Sequence, residues 1–168
     1  MSQEPIVNRV AKSPLINLDL TQMTPDFPVV HFDLAQFLDR GLVLREQDFR
    51  AQLEALDLTI FQEAYVRIFC SVEAIIPAWT HALIAAHLAH TAKKIVSASL
   101  NDFSNITWMD HIAQMNLEPY RDGLVLIKGC GEGDVPVSAQ TFLAQRLTKI
   151  VKKLMFGEAC SFVPLHKK

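Results

Sequence analysis

An excess of charge of one sign is missing from this chain: Lys and Arg number 16 against 18 Asp and Glu, for a formal net charge of -2. With no broad basic field to draw in nucleic acid or an anionic membrane, neither is an expected partner. Long apolar runs are missing too. The nearest approach, Ala74 to Ala89, is interrupted by Pro77, His81 and His87 and falls short of the ~20 residues that a membrane span requires. The opening residues, Met-Ser-Gln-Glu-Pro, offer no basic segment followed by an apolar one, so no secretory signal is expected and the cytoplasm is the expected compartment. Cysteine is scarce, at three residues. The odd count and a reducing compartment argue against a disulfide framework. There is no Cys-x-x-C pair, no Walker loop and no Cys-x5-Arg phosphatase loop, since Pro136 stands where that arginine would be.

What is present is core-forming material. Half of the 168 residues are hydrophobic, enough for a single α/β domain over 1–168. Residues 1–32 hold Pro5, Pro14, Pro25 and Pro28 around two short alternating pieces, Leu15 to Leu20 and Val29 to Phe32. Proline excludes a long helix there, so the spacing predicts an irregular arm with edge strands. Asp33 suits the cap of a short helix that Gly41 ends, and Leu44 to Leu56 has helical spacing. Strands are expected at Tyr65 to Phe69, Lys94 to Ala98, Gly123 to Lys128 and Leu154 to Phe156. Helices are expected over Ala78 to Ala89, over Asn101 to Met115 with a break near Thr107, and over Pro136 to Val151. Phe162 to Lys168 reads as a tail. This alternation predicts a small, doubly wound, mostly parallel sheet with helices on both faces.

Each cysteine follows a predicted strand. If the four strands take the order 2-1-3-4, the strands before Cys70, Cys130 and Cys160 become neighbours and the thiols share one sheet edge, where such sheets bind ligands. Three chemistries are open. Thiolates suit zinc or an iron-sulfur centre, with Glu73 or Glu158 ahead of Glu132, Asp134 and His81 as the completing ligand. A thiolate at Cys130 or Cys70, its pKa lowered at a helix N-terminus, would serve a sulfur transferase. Alternatively the cysteines simply pack as core of a metal-free interaction module. Gly129, Gly131 and Gly133 let backbone amides approach an anion, with Lys128, Ser71, Ser161 and Trp79 as further residues of an anion site or pocket wall. His87, His90, His111 and His166 fit capping or solvated roles better than ligand roles.

Five stretches carry a family resemblance: Asn-Arg-Val-Ala-Lys-Ser (8–13), Gly-Leu-Val-Leu-Arg-Glu-Gln-Asp-Phe-Arg (41–50), Cys-Ser-Val-Glu-Ala-Ile-Ile-Pro-Ala-Trp (70–79), Ile-Lys-Gly-Cys (127–130) and Gly-Glu-Ala-Cys-Ser-Phe-Val-Pro (157–164). Together they resemble the uncharacterised bacterial family known as domain of unknown function 2480, over nearly the whole chain. The resemblance implies no activity. Because its members are often encoded beside iron-sulfur cluster assembly proteins, it implies such proteins as partners. The chain departs from the family pattern in its glycine-rich Cys-Gly-Glu-Gly-Asp loop and at His81, where tyrosine is frequent.

Overall fold

A computed structural model describes residues 15–128 and 135–168. Seven strands are described: β1 (Leu15–Asp19), β2 (Val29–Asp33), β3 (Tyr65–Phe69), β4 (Lys94–Ser97), β5 (Leu124–Lys128), β6 (Lys153–Glu158) and β7 (Ser161–Lys167). Four helices accompany them: α1 (Glu46–Glu54), α2 (Trp79–Leu88), α3 (Leu100–Gln114) and α4 (Val137–Thr148). The chain is therefore α/β, and four of the five pairings between the described strands are parallel.

The strands do not form one sheet in the order 2-1-3-4. They divide into a four-stranded sheet, β1-β5-β6-β7, and a three-stranded sheet, β2-β3-β4. The alternation of strand and helix specifies parallel pairing but not which strands share a sheet, and each of the two N-terminal pieces supplies an edge strand to a different one. Contacts divide the chain in the same way, into one unit of residues 1–25 and 108–168 and a second of residues 26–107. The second unit is thus inserted between β1 and β5 of the first.

Each unit has its own core. In the first, Val125, Leu126 and Ile127 of β5 are all fully buried, as expected of an inner parallel strand covered on both faces. Ala139, Leu143 and Leu147 bring one face of α4 into this core, with Leu18, Ile112 and Leu154. The helix α3 runs unbroken through Thr107, because the Thr107 hydroxyl donates to Ser104 O at 2.9 Å within the helix instead of interrupting it. Arg146 donates to Ile112 O, which also accepts from Met115 N at 3.2 Å, and at 3.5 Å to Met115 O, adding side-chain donors to the carbonyls at the end of α3. In the second unit, Phe49 and Leu53 of α1 and Ile84 and Leu88 of α2 pack with Phe32, Val66 and Ile68 of the sheet. Asp33 caps the short 3-10 turn Leu34–Phe37, and Gly41 has φ +71°, the left-handed backbone that favours glycine. The stretch expected as a tail, Phe162 to Lys168, instead lies largely within β7 (Ser161–Lys167), antiparallel to β6.

Candidate functional site

Parallel pairing places the carboxyl ends of β1, β5 and β6 on one edge of the first unit's sheet. Asp19 is in register with Lys128, and Lys128 Nζ lies 3.5 Å from Glu158 Oε2 across the β5–β6 pair. The Asp19 carboxylate is committed to its own turn, accepting from Thr21 N at 3.0 Å and Thr21 Oγ1 at 2.7 Å. Beyond β6 the chain reverses through Ala159 and Cys160, with Glu158 paired to Ser161. This tight turn requires Gly157. Its φ is +125°, and a Cβ there would meet Ser161 O at 2.7 Å. Cys160 is exposed at the tip, and Ser161 beside it is exposed as well. Gly129, Cys130, Gly131, Glu132, Gly133 and Asp134 lie outside the described residues.

The second unit carries the remaining candidates at the carboxyl edge of β2-β3-β4. Cys70 is half-buried and packs against the apolar core. Ser71 donates its amide to Asp33 Oδ1 at 2.9 Å, while Glu73 is exposed in the loop that follows. Trp79 is half-buried at the start of α2, tilted against Phe49 with ring centroids 6.3 Å apart; it is core wall. His81 Nδ1 and Ser97 Oγ are 2.7 Å apart, tying α2 to β4.

Pairing thus joins the strands that precede Cys130 and Cys160 and assigns the strand before Cys70 to the other sheet. The expected adjacency of all three cysteine strands is replaced by adjacency of two. The reason is the one that splits the sheet: β3 finds both of its neighbours, β2 and β4, within its own unit. Among the described residues, no group of three His, Cys, Asp or Glu side chains is placed to hold a metal ion.

Two further groups at the second edge make long-range contacts that carry little sequence signal. Asp33 joins β2, the turn after it and the loop after β3, since one oxygen accepts from both Ala35 N at 3.0 Å and Ser71 N at 2.9 Å. Burial raises its pKa, but hydrogen bonds from the Ser71 side chain and the Ala35 and Ser71 amides, with the Arg67 charge, outweigh burial and hold the carboxyl below its ordinary value. Arg67 stands among apolar neighbours in β3. It donates to His31 Nδ1 at 3.1 Å and Ala98 O at 3.4 Å, with its guanidinium 3.9 Å from the Phe69 ring centroid. A single charge inside an apolar strand was the one signal available for it.

A family model described as "Protein of unknown function (DUF2480)" matches residues 4–168. The chain belongs to that family. The match spans both sheets and all three cysteines of this DUF2480 protein, in agreement with the five motifs quoted above. No curated protein and no solved structure matches it.

Proposed function

We propose that this DUF2480 protein is an accessory protein with a thiol site at the carboxyl edge of β5 and β6, binding zinc or an iron-sulfur centre. One observation carries the reading: Lys128 and Glu158 are ion-paired at 3.5 Å, and each precedes a cysteine by two residues, Cys130 and Cys160. The donor set fits the chemistry. Two thiolates and the Glu158 carboxylate make a mixed soft and hard set that zinc accepts, leaving a further position for a water or a partner's ligand. Lys128 would then offset negative charge that accumulates as the thiols ionise. Cys70, half-buried against the core of its own unit, takes a packing role. In this reading the protein works in the cytoplasm beside iron-sulfur assembly proteins.

Metal analysis of freshly purified protein tests the proposal. Zinc or iron near one equivalent is expected, retained in Cys70→Ser and lost in Cys130→Ser and Cys160→Ser. Substoichiometric metal that neither of the last two substitutions changes would sink it. The exposure of Cys160 at a hairpin tip favours a second reading, in which this thiolate accepts sulfane sulfur as a persulfide and passes it on. Persulfide labelling after incubation with a cysteine desulfurase and free cysteine distinguishes the two, because a carrier is labelled without any bound metal.

A further inference from the structure

The first unit gathers another feature, at the opposite end of β6 from its carboxyl edge. Residues 135–168 hold six of the sixteen Lys and Arg but only one of the eighteen Asp and Glu. Pairing of β6 with β7 sets Lys153 directly opposite Lys167, and Lys168 N donates to Lys152 O at 3.0 Å. Four lysines therefore share one corner. Among the described residues the carboxylate that meets them is Asp122, 3.5 Å from Lys168 Nζ. Like charges directly opposite across an antiparallel pair destabilise it, so folding does not account for this arrangement.

From that corner exposed apolar side chains follow β7 on both faces of this edge strand. Phe162 is 41%, Val163 62% and Leu165 48% exposed. Lys153 Nζ lies 5.4 Å from the Phe162 ring centroid, linking the charged corner to these side chains. Pro164 brings no N–H to the strand, and the pairing register shifts between Leu154 and Met155. The free edge of β7 is thus a poor template for another strand, and side chains must carry any contact made there.

The geometry points to β7 and its lysine corner as the docking surface for an acidic, apolar segment of a partner protein. The lysines meet carboxylates, and Phe162, Val163 and Leu165 meet aliphatic side chains. Nucleic acid fits less well: sequence-tolerant strand binding uses successive aromatic platforms along a basic groove, and β7 offers one phenyl ring. An anionic membrane fits less well because the apolar side chains lie on a strand and not on an amphipathic helix.

The test measures binding of a fluorescent synthetic peptide alternating glutamate with leucine to the full-length protein. A single-stranded oligonucleotide and phosphatidylserine vesicles serve as competing ligands. Affinity for the peptide should exceed affinity for either of these and should fall as salt rises. The variant Lys167→Glu should weaken peptide binding about tenfold or more while holding or raising the melting temperature, since it replaces the repulsive Lys153–Lys167 pair by an attractive one. Val163→Ser should weaken binding about threefold or more at unchanged charge. Failure of the peptide to bind at low salt, an affinity indifferent to the charge reversal, or tighter binding of oligonucleotide or vesicles would each overturn the proposal.

Discussion

Asp33 shows how one carboxylate can hold three chain segments. Its oxygen caps the turn that follows β2 and accepts the Ser71 amide at the end of β3. Replacement by alanine removes both contacts and should cost about 1–2 kcal/mol in urea unfolding at neutral pH. Asparagine keeps a capping oxygen and removes only the charge. Because the folded-state pKa lies below the unfolded one, the charged form's contribution is complete above the ordinary carboxylate value of about 3.9 and disappears as pH falls through the lower folded value. The stability gap between wild type and Asp33→Asn should therefore be widest above about pH 5 and close toward about pH 3; a gap independent of pH would contradict the assigned role. The capping role of Asp33 was legible, since an aspartate before Leu34 and ahead of a glycine at 41 is a local pattern. Its bond to Ser71 was not, because 38 positions separate the two residues and no local pattern reports such a contact.

The β6–β7 hairpin is the element least visible in the sequence. Pro164 demotes its strand pattern, and both faces of residues 161–165 are exposed, so no alternation of buried and solvent-facing residues marks β7. Other elements were plain where one face is buried at a regular interval. Ala139, Leu143 and Leu147 recur every fourth residue in α4, whereas α2 was marked by Pro77 ahead of a nearly all-apolar run. The hairpin instead depends on Gly157, whose backbone conformation and close approach to Ser161 O exclude a side chain. Gly157→Ala should lower stability by about 3 kcal/mol and, by disturbing the turn that presents Cys160, reduce any metal held at the proposed thiol site. A loss below about 0.5 kcal/mol in chemical denaturation would show that the turn adapts. At the thiol edge, the pairing of β5 with β6 followed from order in the chain, whereas the removal of Cys70 from that neighbourhood depended on sheet membership.

In the whole molecule, two cores are built from residues that do not mix. Every buried member of one core, from Phe32 to Leu88, lies inside the inserted unit, and its sheet is complete within the same span. A fragment of residues 26–107 should therefore show a cooperative urea transition and a near-ultraviolet circular dichroism signal when expressed alone; a broad, non-cooperative change would mean that its core is incomplete. The α/β class and mostly parallel pairing were legible from the order of elements, because parallel neighbours need a crossover and the helices supply it. Their division between two sheets was not, since nothing in a strand's own residues states which other strand it will meet. The insertion also has a consequence during synthesis. As the chain leaves the ribosome from its N-terminus, Leu15–Asp19 emerges early, but its pairing partner, Leu124–Lys128, comes only after the whole inserted unit. In that interval residues 26–107 have all they need to fold, while β1 waits with its backbone donors and acceptors unpaired. The nascent chain is most open to misassociation in the interval before β5 emerges, and that interval closes when β5 takes its place between β1 and β6.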